Sequence, residues 1–219
     1  MLTKEMLNKQ IPVLKPKDTG DYGLSLMEEV KLRHLPVVER KKYSFLLSEK
    51  DVFRMGNTAN PIEGQSVFAP CAYENTAVID VLHVMSKDKL SVLPVIDQEG
   101  DYLGCVTLES LVDKLAEISN AGAHGSIVAI EINSLDYDLS NIARLAESNH
   151  ARIITLFTFP VPQTDKLTML VKIDLEDASP FLRSLERFNY HVLYYSQKEG
   201  LVDEILKKRL DELMFYLKM

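Results

Sequence analysis

The chain repeats itself. Around Pro36 it reads LRHLPVVERKKYSFLLSEKDVFRM, and around Pro94 it reads LSVLPVIDQEGDYLGCVTLESLVDKL. Leu32, Leu35, Pro36 and Val37 return 58 positions later as Leu90, Leu93, Pro94 and Val95. A one-residue difference in the turn then makes the offset 59, which aligns Tyr43 with Tyr102 and Ser48 with Thr107. Internal repetition constrains a fold more than local propensity does, because two copies of one half-buried unit cover their apolar faces most simply against each other. The first half of the 219 residues is therefore expected to be a paired module and not an extended solenoid.

Each copy has the same internal order. In the second, Asn75 to Asp88 spaces Ala77, Val78, Val81, Leu82 and Met85 as one face of a helix, with Asn75 or Thr76 available as its cap. Val92 to Ile96 reads as a strand, DQEG as a hairpin turn, Asp101 to Thr107 as the return strand, and Leu108 to Ile118 as a second helix through Leu111, Val112 and Leu115. The first copy follows suit. Leu24, Met27, Val30 and Leu32 mark a helix, HLPVV and YSFLL the strands, and Glu49 to Met55 the second helix, with Gly56, Asn57 and Pro61 in the link.

These residues carry a resemblance. The span of about residues 1–118 resembles a tandem pair of cystathionine-beta-synthase (CBS) domains. That pattern has an LPV-type strand, a hairpin, a strand ending in Gly-x-x-Thr/Ser, and an Asp three positions beyond the hydroxyl residue. The second copy supplies Leu93-Pro94-Val95, Gly104 and Thr107 but has Ser110 where the pattern has Asp. The first keeps Ser48 and Asp51 but has Phe45 where the Gly stands. The resemblance implies a regulatory module whose clefts hold an adenine nucleotide (ATP, ADP or AMP) or S-adenosylmethionine. The hydroxyl would cap the next helix beside a phosphate, and the carboxylate would accept hydrogen bonds from a ribose diol. Ser48 and Asp51 make the fuller site; Thr107 and Ser110 make the second, where a serine replaces the carboxylate. The plainer alternative is that all four only cap helices, leaving a structural interaction and oligomerisation module with a degenerate ligand site.

NAGAHG at Asn120 to Gly125 breaks the pattern, and the copies at about 1–58 and 59–118 (module 1–120) give way to a different unit at 121–219. Ser126–Ile132, Arg152–Phe159, Lys166–Ile173 and His191–Tyr195 read as strands, and Asp138–Asn149 and Ala178–Phe188 as helices, giving βαββαβ. This order predicts a ferredoxin-like antiparallel sheet with both helices on one face. About residues 125–197 resemble an ACT domain, a small-molecule-sensing module. ACT amino-acid sites use the loop after the first strand; here that loop, Asn133 to Asp138, has no Gly, which favours packing or dimerisation over amino-acid binding. Leu201, Ile205, Leu206, Leu210, Leu213, Met214 and Leu217 then form an apolar stripe along Gly200–Met219. The whole is an α/β (α+β) chain, a CBS pair plus an ACT-like unit, and is similar to the acetoin-utilisation AcuB type of protein.

Composition narrows the function. There are 14 basic against 18 acidic residues up to Asn120 and 11 against 14 beyond, so no segment concentrates the positive charge that nucleic-acid binding needs. Arg40-Lys41-Lys42 is read as a solvated hairpin tip. The longest apolar runs are strand-sized, and the first residues lack a signal-peptide core, so neither a membrane span nor export is expected and the cytoplasm is the default. Cys71 and Cys105 lie outside any CxxC motif and are read as buried or half-buried thiols. His34, His83, His124, His150 and His191 form no metal-ligand spacing, and no nucleophile elbow, P-loop or dinucleotide fingerprint occurs. The expectation is a non-enzymatic regulatory sensor, a homodimer, that relays nucleotide binding to a partner protein.

Overall fold

The computed structural model describes residues 1–196 and divides into two compact units, Met1–Ile118 and a second that begins at Ser119. Copy one runs α1 (Gly20–Glu29), β1 (His34–Glu39), β2 (Lys42–Ser48) and α2 (Glu49–Phe53). Copy two adds a short strand, β3 (Ala72–Tyr73), then α3 (Val78–Asp88), β4 (Val92–Ile96), β5 (Tyr102–Thr107) and α4 (Leu108–Ile118). Thr19 caps α1 by accepting from the Tyr22 N–H. The cap expected on α3 from Asn75 or Thr76 does not form. Ala77 holds the N-cap position without a side-chain bond, because the Thr76 hydroxyl accepts from Tyr73 N at 3.0 Å in the preceding turn.

The repeat is visible as paired contacts. Tyr43 N donates to Gly100 O at 3.3 Å and Tyr102 N donates to Lys41 O at 2.7 Å, two bonds that the 59-residue offset maps onto each other. Such reciprocity marks a local two-fold relation between the hairpins. Lys42 is therefore not only solvated, since its ammonium meets Asp101 at 2.6 Å across that junction.

The segments flanking each hairpin are exchanged. Thr3 N donates to Thr76 O and Asn8 N to Cys105 O, which ties the first residues to copy two. Ile62 N donates to Asp18 O and Leu46 N to Phe68 O, which ties the link to copy one. The cores follow the same exchange: Met6 packs with Val81, Val95 and Val106, while Ile62 packs with Leu14, Val37 and Leu47. Each copy thus completes its core with a strip of chain lying before the other, so the two are locked together by apolar burial.

In the second unit, β6 (Ser126–Asn133), α5 (Leu139–Ser148), β7 (Ile153–Pro160), β8 (Lys166–Ile173), α6 (Ser179–Arg187) and β9 (His191–Ser196) form the expected βαββαβ order. The sheet order is β7-β8-β6-β9, and all neighbours are antiparallel. Asp138 caps α5 through Ser140 N and Asn141 N. Alternate residues of β6 and β8 (Val128, Ile130, Met169, Val171) pack against Ile142 and Leu145 of α5 and Phe181 and Leu185 of α6. The amphipathic stripe over Gly200–Met219 lies outside the described residues. No helix among the described residues is long and apolar enough to cross a membrane.

Candidate functional site

Ser48 stands where β2 passes into α2, in extended backbone (φ −107°, ψ 157°) that turns its side chain over the next turn. Its hydroxyl accepts from Asp51 N at 3.1 Å and donates to Asp51 Oδ2 at 2.6 Å, and Ser48 N donates to the same oxygen at 3.0 Å. The pair is a capping box. It clamps the carboxylate through Oδ2 and leaves Oδ1 without a hydrogen bond to the described residues, on a side chain that is half-buried.

The contact beside this pair joins the two copies. His34 lies opposite Ser48 in the β1–β2 register. Its Nδ1 is 3.0 Å from Ser91 Oγ and accepts from Ser91 N at 3.2 Å, while Ser91 Oγ accepts from Arg33 N at 3.2 Å. With that hydroxyl accepting from Arg33, its proton faces His34, and the network assigns the imidazole proton to Nε2. Burial holds His34 below its ordinary value, and the Arg33 charge adds to the effect while Asp51 opposes it. In the sequence His34 stands out only as a histidine without metal-ligand spacing. The missed signal was in the repeat, because Arg33 and Ser91 are equivalent positions and a contact between them sits on the local axis. A cleft of about 480 Å³ is lined by Met27, Lys31, Phe53 and the chain neighbours of His34 and Ser48, Arg33 and Glu49, but not by His34, Ser48 or Asp51 themselves.

Thr107 and Ser110 reproduce the loop without its charge. Thr107 N donates to Ser110 Oγ at 3.1 Å and Ser110 N to Thr107 Oγ1 at 3.1 Å, but the serine hydroxyl turns back to Thr107 O at 3.0 Å. Ser110 borders a cleft of about 680 Å³ between α4 and the first residues, including Asn8 and Gln10. Lys114 closes one wall by pairing with Glu5 at 2.9 Å and Glu117 at 2.8 Å. The Lys114 hydrogen bond and the Leu2 N–H hold the Glu5 carboxyl down at about 2. The two hydroxyl pairs flank one junction, since Glu49 N donates to Arg33 O and Leu108 N to Ser91 O.

The departures from the sequence pattern have local causes. Gly104 has φ +147°, and a Cβ there would stand 2.9 Å from Asn8 O and 3.1 Å from Leu7 Cγ. The N-terminal strip passes too close for a side chain. At the matching position of copy one, Phe45 instead enters the hydrophobic core and is 8% exposed.

In the second unit, the loop Asn133 to Asp138 forms a 3-10 turn at the mouth of a cleft of about 610 Å³. Glu131 is paired there with Lys166 at 2.6 Å and lies 3.4 Å from His191 Nδ1. The Lys166 bond is the main reason the Glu131 carboxyl is held below its ordinary range. Asn141 Nδ2 donates to Tyr190 Oη on the far wall.

The CBS domain family model matches residues 67–117. Copy one repeats the helix–hairpin–helix order of that matched stretch. Among curated proteins, similarity extends to an uncharacterized protein of Methanocaldococcus jannaschii (24% identical, 52% of this chain, 28% of that one). The inosine-5'-monophosphate dehydrogenase of the same organism is 23% identical over 50% of this chain and 23% of its own length. The chain thus spans about a quarter of these relatives. The CBS domain-containing protein YhcV of Bacillus subtilis is 24% identical, over 58% of this chain and 93% of its own. Among solved structures, a CBS domain pair/ACT domain protein of Thermotoga maritima is 18% identical with a TM-score of 0.49, covering 53% of this chain and 98% of its own. The CBS-pair protein CBSX2 of Arabidopsis thaliana is 19% identical with a TM-score of 0.49, covering 55% and 97%.

Proposed function

We propose that the CBS-type pair is a regulatory small-molecule sensor that takes an adenine nucleotide at Ser48 and Asp51 and relays its occupancy to a partner protein. The observation that carries this reading is the Asp51 carboxylate, oriented through Oδ2 while Oδ1 accepts no hydrogen bond from the described residues. A fixed acceptor of that kind suits the vicinal hydroxyls of a ribose, and the Arg33 and Lys50 charges acting at the neighbouring His34 suit a phosphate. Thr107 and Ser110 form the weaker site, because a serine that donates to its own loop offers a ribose no charged acceptor. Related structures were solved with AMP, for CBSX2, and with ATP, for the cytosolic domain of the Mg2+ channel MgtE; these nucleotides, ADP and S-adenosylmethionine are the ligands to test first. Because His34–Ser91 joins the copies beside the site, a ligand that prefers one hairpin arrangement shifts the pair by its differential affinity.

A second reading has its own support. Phe45 fills the core where copy two has glycine, and the equivalent residues Phe53 and Val112 stand on α2 and α4 at 71% and 60% exposure. These features fit a structural interaction module that assembles as a homodimer through apolar helix faces. For the second unit we propose an ACT-like packing or dimerisation role, as in AcuB-type proteins, since the Asn133–Asp138 loop at its cleft has no Gly.

Calorimetric titration with ATP, ADP, AMP and S-adenosylmethionine separates the readings. The sensor reading expects one saturable site per chain that weakens about 10- to 150-fold in Asp51→Ala, the loss of a hydrogen bond to a charged group worth about 1.5–3 kcal/mol. Absence of heat with all four ligands overturns it and leaves the interaction module.

A further inference from the structure

The helical layer of the second unit ends in an aromatic ring that two guanidinium groups approach. Phe188 closes α6 in a Schellman turn: Asn189 has φ +61°, its N–H donates to Glu186 O at 2.9 Å, and Tyr190 N donates to Leu185 O at 2.9 Å. The turn fixes where the ring stands and leaves Phe188 42% exposed. The guanidinium carbon of Arg187 lies 5.4 Å from the ring centroid, and that of Arg144, on α5, lies 5.8 Å from it. Arg144 is anchored a second time. Its Nη2 donates to Asn141 Oδ1 at 2.7 Å, and Asn141 Nδ2 donates to Tyr190 Oη at 2.8 Å.

Two cations drawn to one ring repel each other, and stacking at an exposed site returns only about 0.5–1 kcal/mol apiece. Among the described residues neither arginine forms an ion pair, although Glu147 and Glu186 stand on the same two helices, whereas Arg152 meets Asp174 at 3.0 Å. The last turn of a helix suits Arg187, but Arg144 stands in the middle of α5, where the helix dipole gives it nothing. Both side chains belong to exposed residues of a chain whose net charge is −7, so the pair is a local reversal of sign.

We propose that Arg144, Phe188 and Arg187 form a docking site for an acidic segment of a partner protein. Charge complementarity selects that occupant. A guanidinium is planar and carries five N–H donors, so each arginine can meet a carboxylate through a two-bond fork, Arg144 with donors beyond the one that Asn141 takes. The exposed part of the ring offers apolar contact to the methylenes that carry such carboxylates. Phe188 and Asn141 also border the cleft of about 610 Å³, which gives residues flanking the acidic group a place to lie. The site is separate from Ser48 and Asp51 and stands whether or not a nucleotide binds there.

The probe is a fluorescein-labelled octaglutamate peptide, followed by anisotropy with the full chain in low-salt buffer without nucleotide. Saturable binding that added salt weakens is expected. Arg144→Gln together with Arg187→Gln should weaken it about 2- to 30-fold, the loss expected for two exposed ion pairs, while Arg152→Gln leaves it unchanged. Arg144→Lys with Arg187→Lys keeps the charge and removes the forks, so it should bind more weakly than the wild type. In the unsubstituted chain, the Nε–Hε resonances of Arg144 and Arg187 should shift with the peptide while that of Arg152 stays in place. Absence of binding, equal binding by the glutamine variant, full affinity in the lysine variant, or shifts confined to other arginines such as Arg40 each overturn the proposal. So does a single-stranded DNA oligonucleotide that binds the same two arginines more tightly than the peptide, which assigns the pair to phosphates.

Discussion

Replacing Gly104 by alanine tests the interlocked packing of the pair. At φ +147° an L-residue is strained by about 1–3 kcal/mol, and the added Cβ would lie 2.9 Å from Asn8 O and within 3.2 Å of the Leu7 side chain. The carbonyl belongs to a strip held on the β5 edge by two backbone bonds, Asn8 N to Cys105 O at 2.8 Å and Cys105 N to Asn8 O at 2.9 Å. Relieving the contact means lifting the strip, which loses about 1 kcal/mol for each bond. The strain and the lost bonds are partly alternative costs, so the expected destabilisation is about 2–4 kcal/mol. Because the chain has two units, whole-molecule melting is a poor assay. Native-state hydrogen exchange at the Cys105 amide reads the local effect, and its protection should fall about 30- to 1,000-fold. Gly100→Ala is the control, since Gly100 has φ +83° but open space where a Cβ would go; it should cost only the backbone strain. If Gly104→Ala costs no more than Gly100→Ala and leaves Cys105 protected, the close passage of the N-terminal strip is wrong.

Three further outcomes follow from particular side chains. Ser110→Asp should add about 0.5–1 kcal/mol at the start of α4 by placing an acid against Thr107 N and the helix dipole, and should raise nucleotide stoichiometry in calorimetry from one to two; a stoichiometry of one denies the functional equivalence of the loops. His34 is held below its ordinary 6.5, so the unfolded chain binds its proton first. Stability should therefore rise with pH between the lowered value and 6.5 and flatten below it; the denaturation difference between wild type and His34→Gln should carry this slope, and a pH-independent difference contradicts the burial argument. Phe181→Ala, at a site 1% exposed in the second core, should cost about 3–5 kcal/mol, measured by hydrogen exchange at Val171, with a loss under 1 kcal/mol counting against that packing.

The parts readable in advance were those set by local periodicity. The 58/59 offset specified two helix–hairpin–helix copies, and the βαββαβ order of strands and helices after Gly125 specified a ferredoxin-like sheet. The exchange of flanking strips was not readable, because Asn8–Cys105 and Leu46–Phe68 are backbone bonds that leave no side-chain signature. The α3 cap was misplaced for a related reason: Thr76 is a good cap by type, yet its hydroxyl is engaged by Tyr73 N and its carbonyl by Thr3, 73 residues away. At the candidate site, the spacing of Ser48 and Asp51 foretold the loop. The His34–Ser91 contact beside it required comparing the copies as objects facing one another and not only as aligned strings.

The regulatory role rests on the nucleotide site proposed at Ser48 and Asp51. Amide resonances of the full chain followed during AMP addition test it most directly. Saturable shifts are expected at Ser48, Asp51 and His34 at concentrations that leave Thr107 and Ser110 in place, with loss of those shifts in Asp51→Ala. Saturable shifts confined to Thr107–Ser110, or none at any of these residues, would contradict it.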